Sequence, residues 1–270
     1  MKVFVIGASG LVGGNTMRVF RENGCDVKGS FFTYKTEDCV FYDTLDLDNT
    51  DNFDLIGWCP DVIVHCGALT HVDYCEENIE ESYQKTVQSA INVIEICKKN
   101  QASMIYTSTD YVFDGTSEVP YSETDATNPK NVYGYSKLLG EKALLEINPS
   151  NSLIIRTSWL YSKKHGKNFY KSILAKAKAE KELYITDEQK GCPTNTVNLA
   201  EFIYQIIINR NNEFGVYHYC DEKAMTWYDF AEQILIENNI LESIKLVKSN
   251  NYRTFANRPK NSVLKKSKLS

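Results

Sequence analysis

No apolar run in this sequence approaches the ~18–20 residues needed to cross a membrane. The longest, around Phe202 to Ile208, is far shorter. The first residues offer one lysine, a four-residue apolar run and then glycines, too little for a secretory signal. Basic excess is also missing. Thirty Lys and Arg face 35 Asp and Glu, a net charge of −5, so a general nucleic-acid binder is not expected. Fourteen glycines and six prolines in 270 residues exclude collagen-like and linker-rich chains. The eight cysteines (25, 39, 59, 66, 75, 97, 192 and 220) form no C-x-x-C pair and meet only four scattered histidines, so no metal site is expected. Several, such as Cys66 and Cys97, sit in apolar runs where a free thiol acts as a small hydrophobe. That usage predicts a reducing, cytoplasmic compartment. With 43% hydrophobic and 24% charged residues, the chain has an ordinary globular balance.

Short apolar runs recur through the first 155 residues: Val3–Ile6, Asp61–His65, Ser103–Thr107 and Leu153–Ile155. Such runs suit strands buried on both faces of a parallel sheet. Between them, Leu11–Glu22, Val87–Lys99 and Ser136–Glu146 carry apolar residues at helical spacing, as in Ala90, Val93, Ile94 and Cys97. The alternation predicts a Rossmann-type α/β domain with a doubly wound parallel sheet over 1–155. After Arg156 helices continue near 168–179, 199–208 and 227–238, while strands thin out to 183–185 and 216–219. Residues 156–270 therefore read as a smaller C-terminal substrate lobe, with the helix near 198–208 able to return to the first domain.

Gly7-Ala8-Ser9-Gly10-Leu11-Val12-Gly13 follows the first strand and opens the first helix. Glycines there allow a tight turn and bring the backbone close to a pyrophosphate at a helix N-terminus. No Gly-Lys-Ser/Thr ending follows, which counts against a nucleotide-hydrolysing loop. A second constellation narrows the chemistry. Tyr133 and Lys137 lie four apart at a helix start, on one face. An unperturbed phenol has a pKa of about 10, and a nearby ammonium favours its ionised form. Thr107-Ser108-Thr109-Asp110-Tyr111 ends a strand, where hydroxyls reach a ligand at the sheet edge.

With Ser108-Thr109-Asp110-Tyr111-Val112-Phe113-Asp114-Gly115, Asn131 to Lys137, Gly140-Glu141-Lys142 and Arg156 to Tyr161, the chain resembles the extended short-chain dehydrogenases/reductases. Within them it is most similar to the dTDP-4-dehydrorhamnose reductases, and Gly191-Cys192-Pro193-Thr194, Thr226-Trp227 and Arg258-Pro259 extend the likeness to nearly the whole chain. The resemblance implies NAD(P)H-dependent reduction of the 4-keto group of a nucleotide-linked 6-deoxy sugar. It implies Tyr133 as proton donor, Lys137 as its partner and a ribose ligand, and Thr109 as the hydroxyl that polarises the carbonyl. Cofactor contacts would come from Gly7, Ser9, Gly10, Leu11, Val12 and Gly13, from Asp46 and Leu47, and from Cys66, Gly67 and Ala68. Thr70, His71, Asp110, Tyr111, Trp159 and Arg258 would line the sugar site. Thr86 stands where extended members often carry asparagine.

Cofactor choice is read at the end of the second strand, where an acid favours NAD. Here Val27 to Lys35 holds no acid, and Ser30 with Lys35 could take a 2′-phosphate, so NADP is expected, with NAD as the alternative. Two other readings remain open. One is a nucleotide-sugar epimerase/reductase using Cys66, Cys75 or His71 as a base. The other is a non-catalytic NADP-binding subunit like the beta subunit of methionine adenosyltransferase. The expected partner is a nucleotide sugar, and a homodimer stays open.

Overall fold

The computed structural model describes residues 1–46, 58–209, 214–221, 223–249 and 253–268. Strand β1 (Lys2–Ile6) runs through the middle of a parallel sheet, its last four residues buried. Helix α1 (Leu11–Glu22) returns the chain to β2 (Asp26–Phe31), and β3 (Cys39–Phe41) closes that edge. On the other side of β1 lies β4 (Val62–His65). A short α2 (Val72–Glu77) and α3 (Ile79–Ser82) lead into a π-helical stretch, Tyr83–Gln88, which runs on into α4 (Ser89–Asn100). Then come β5 (Ser103–Thr109), α5 (Val132–Ile147) and β6 (Ser152–Thr157).

Past β6 the chain adds β7 (Leu160–Tyr161), α6 (Phe169–Ala179), β8 (Glu182–Ile185), β9 (Lys190–Gly191) and β10 (Thr194–Asn195). Helix α7 (Thr196–Asn209) and β11 (Gly215–His218) follow, then β12 (Met225–Thr226), α8 (Trp227–Glu237) and β13 (Lys245–Lys248). The large sheet has the order β11-β6-β5-β4-β1-β2-β3, parallel throughout. This is the doubly wound arrangement anticipated from the alternation of strands and helices. Its direction reverses between β1 and β4, and that switch point is where such sheets hold their ligands.

Each face of the sheet has its own apolar layer. Val3, Val5, Ile105, Leu153 and Ile155 pack with Phe20, Leu199, Phe202, Ile203 and Ile206 of α1 and α7. Phe4, Ile63, Met104, Tyr106 and Ile154 pack with Val93, Ile94 and Cys97 of α4 and Leu144 of α5. The stretch beyond residue 156 is thus divided in space. Helix α7 lies on the sheet beside α1. Strand β11, read from the sequence as part of the lobe, instead pairs with β6, Val216 opposite Ile154. Pairing with β11 satisfies the backbone N–H and C=O groups along that side of β6. The lobe itself gathers around Ile173, Leu183, Phe230, Ala231, Ile234 and Leu235, with β8 paired to β13.

Candidate active site

Two glycines shape the turn after β1. Gly7 has φ +77°, which a side chain rarely tolerates, and its N–H donates to Ser30 Oγ (3.2 Å). A Cβ on Gly13 would come within 2.3 Å of the Gly7 carbonyl oxygen and 2.7 Å of Ala8 Cα, so α1 can approach the turn this closely only without one. The turn forms one wall of a groove of about 680 Å³ that runs across the switch point. Ser9, Gly10, Leu11, Val12 and Gly13 lie on one side, Cys66, Gly67, Ala68 and Thr70 on the other. Thr109, Asp110, Tyr111, Tyr133 and Trp159 form its far end.

Position at that far end comes from the caps around α5. Asn131 Oδ1 accepts the Gly134 N–H (2.8 Å) and Glu76 Oε1 accepts the Val132 N–H (2.8 Å). These bonds satisfy donors that the first helical turn leaves over, and so fix Tyr133. Its phenol is hydrogen-bonded with Thr109, and burial pushes its pKa well above the usual tyrosine value. Thr109 in turn donates to Asp110 Oδ1 (3.1 Å) and accepts the Tyr111 N–H (3.2 Å). Burial pushes the Asp110 carboxyl up to about 7. The rings of Tyr111 and Tyr133 meet edge to face at 6.1 Å.

One turn along α5, Lys137 is 2% exposed, and its Nζ sits 3.9 Å over the Tyr106 ring. Burial pushes this lysine down to about 7, with the Glu141 carboxylate pulling the other way. In the unfolded chain its pKa is about 10.4, so between roughly pH 7 and pH 10 the unfolded state holds a proton that the folded state has shed. Stability therefore rises with pH across that window. Urea denaturation of cofactor-free wild type and Lys137→Met should show the difference in stability moving in favour of wild type from about pH 7 to about pH 9. A constant difference would remove the burial argument.

Thr157 Oγ1 and His65 Nδ1 are buried without partners among the described residues, both on residues that line the groove. The glycine turn at the start of α1 fits the pyrophosphate of a dinucleotide.

The sequence profile described as RmlD substrate binding domain matches residues 1–270. The chain belongs to the RmlD substrate binding domain family. A dTDP-4-dehydrorhamnose reductase of Aggregatibacter actinomycetemcomitans is 34% identical over 280 residues, 99% of this chain and 92% of that protein. The crystal structure of a dTDP-4-dehydrorhamnose reductase from Clostridium acetobutylicum matches with a TM-score of 0.88 at 31% identity, covering 98% of this chain and 90% of the other. A dTDP-4-dehydrorhamnose reductase from Bacillus anthracis, solved in complex with NADP, matches with a TM-score of 0.89 at 28% identity, again over 98% and 90%.

Not every residue expected from the sequence lines the groove of this RmlD-family chain. Lys137 lies behind it, against Tyr106. His71 instead caps α2, its Nδ1 accepting the Tyr74 N–H (3.1 Å). Arg258 pairs with Asp73 (3.0 Å) and reaches the Tyr111 hydroxyl at 3.5 Å, so it stands one layer back. Lys35 is exposed and outside the groove, and the half-buried Asp46 is outside it too, while Asp43, Thr44 and Leu45 do line it. Leu47 lies outside the described residues. Ser30 lines the groove with its oxygen already accepting from Gly7. Thr86 Oγ1 accepts the Leu69 N–H (3.3 Å) and so braces the loop after β4.

Sequence reasoning missed Phe32, Lys85, Ser89, Lys167 and Phe169, all on the groove, and gave Trp227 no role. Trp159 takes a left-handed backbone, φ +45°, and its ring stacks on Trp227 at 3.6 Å and 4°. For so bulky a residue this conformation costs about 1–3 kcal/mol, and such strain gathers at functional sites. The Thr226-Trp227 pair was a visible signal without a partner. Nothing in the sequence linked it to Trp159.

Proposed function

We propose that this protein is an NADPH-dependent oxidoreductase that reduces the 4-keto group of a 6-deoxy sugar carried on a nucleoside diphosphate, as in dTDP-rhamnose synthesis. The observation that carries this reading is one continuous groove, with a glycine turn at one end and the hydrogen-bonded hydroxyls of Thr109 and Tyr133 at the other. When bound, the reduced nicotinamide supplies the hydride that the carbonyl carbon gains. The protein handles the proton. Thr109 orients the carbonyl oxygen, and Tyr133 gives that oxygen its phenolic proton as negative charge develops there. Because burial holds the phenol un-ionised, the proton stays on Tyr133 until that moment. Lys137, one helical turn away, favours the phenolate left behind when it carries its proton, the form that burial disfavours above about pH 7. A proton from solvent then restores the phenol, so each turnover consumes one NADPH and one proton.

Asp110, Tyr111, Thr70 and Trp159 are the groove residues we assign to the sugar. Among the candidate epimerising groups, burial pushes the Cys66 thiol up to about 12, which keeps it protonated and unable to accept a proton. Cys75 donates to the Leu69 carbonyl (3.5 Å) and is fully buried. None of the eight cysteines is in a disulfide, which supports a reducing, cytoplasmic setting, and no helix among the described residues is long and apolar enough to cross a membrane.

The test is steady-state NADPH oxidation with dTDP-4-keto-6-deoxy sugars, the product identified by mass spectrometry. Expected is turnover with one alcohol formed per NADPH consumed. Tight NADPH binding without turnover on any 4-keto nucleotide sugar, together with a stable complex with a methionine adenosyltransferase catalytic subunit, would establish the regulatory reading instead.

A further inference from the structure

We propose that Lys85 recognises the 2′-phosphate on the adenosine ribose of the cofactor and so sets the preference for NADPH over NADH; this rests on the dinucleotide reading above. The adenosine half of a dinucleotide in a doubly wound sheet lies beyond the end of β2, where the ribose 2′ position is read. In this chain Ser30, Phe32, Thr33 and Tyr34 line the groove past the end of β2, and Lys85 of the π-helical stretch and Ser89 of α4 line it too. No carboxylate stands among residues 30–34 to claim the ribose hydroxyls.

A dianionic phosphate needs a cation, and few are at hand. Among the described residues that line the groove, only Asp43, Lys85, Asp110 and Lys167 carry ordinary charged side chains. Lys167 adjoins Gly166, which packs against Leu11 at the start of α1, and thus belongs to the pyrophosphate end. Lys35, the nearest basic residue in sequence, lies outside the groove. Lys85 is left as the cation at the adenosine end. Its Nζ lies 6.0 Å from the centroid of the Phe32 ring, directly beside the end of β2.

The backbone supports this assignment. Lys85 sits in the π-helical stretch Tyr83–Gln88, a rare geometry that re-aims side chains and recurs at functional sites. Within that stretch, Thr86 is buried and braces Leu69, while Lys85 stays half-exposed with its side chain 41% accessible. In the cofactor-free protein Lys85 Nζ is paired with Glu81 Oε1 at 2.5 Å, and Glu81 Oε2 accepts from the Tyr74 hydroxyl (2.7 Å). Glu81 itself does not line the groove. A half-exposed pair of this kind is weak, and a phosphate displaces the carboxylate at little cost.

Calorimetric titration of the full chain with NADPH, NADH, 2′,5′-ADP and 5′-AMP tests the proposal. Wild type should bind NADPH and 2′,5′-ADP more tightly than NADH and 5′-AMP. Lys85→Met should weaken NADPH and 2′,5′-ADP by about 10- to 100-fold, the scale of one charge-assisted contact. NADH and 5′-AMP should be unchanged, Lys85→Arg should keep most of the preference, and Lys35→Met should keep all of it. If wild type prefers NADPH and Lys85→Met preserves that ratio, the assignment is overturned while the reductase reading stands. A wild type that prefers NADH also overturns the assignment alone. If no dinucleotide binds, both readings fall.

Discussion

Replacing Tyr133 by Phe should lower turnover by about 10²–10⁴ while leaving NADPH affinity nearly unchanged. The substitution removes one hydroxyl and keeps the ring that meets Tyr111 edge to face at 6.1 Å. The caps from Asn131 and Glu76 contact the backbone, so they hold the helix start in place in the variant as well. What disappears is the hydroxyl that is hydrogen-bonded with Thr109. Steady-state kinetics with calorimetric NADPH affinities would check this. Turnover at the wild-type rate would remove Tyr133 as the donor. Lys137→Met should fall in turnover too, most of all below about pH 7, where the buried lysine carries the charge that favours a phenolate.

Glu141→Gln should destabilise the protein by about 3–5 kcal/mol, the cost of leaving a buried charge without its partner. Glu141 is 1% exposed and Arg156 5% exposed. The Arg156 guanidinium donates to Glu141 Oε2 from Nη2 (2.7 Å) and to Oε1 from Nε (3.0 Å), and Ser108 Oγ donates to Oε1 (2.5 Å). Arg156 Nη1 also lies 3.4 Å from His218 Nε2, while His218 Nδ1 lies 3.0 Å from the Tyr121 carbonyl. The amide keeps the shape but not the charge, and Arg156 has no route to water. Glu22→Gln is the control, because its pair with Arg18 is exposed and worth about 1 kcal/mol at most. Urea denaturation should separate the two variants clearly. A loss below about 1 kcal/mol for Glu141→Gln would show that the pair contributes little. Ser108 precedes Thr109 and Arg156 precedes Thr157, so this network also sets the strand ends that face the groove.

Much of this was legible from local pattern. Strands β1, β4, β5 and β6 are short apolar runs, and a run buried on both faces announces a parallel sheet without reference to the rest of the chain. The glycine turn and the Tyr133–Lys137 spacing are equally local, since one concerns backbone freedom and the other a single helical face. Strand β11 was misplaced because strand pairing is non-local. Gly215–His218 reads alike in a lobe or at a sheet edge, and only the free edge of β6 decides between them.

What the sequence by itself determined was the doubly wound architecture and the residue types of the chemistry, because each depends on contacts within one turn, one strand or one helix face. What only the tertiary structure decided was which side chains share the groove. A π-helical turn puts Lys85 on the groove, while Lys35 lies outside it. The stack of Trp159 on Trp227 joins residues far apart in the chain through a left-handed backbone that no periodicity announces. Burial then sets the ionisation of Tyr133, Lys137 and Asp110, because the cost of a charge depends on the surroundings that the whole fold builds around it.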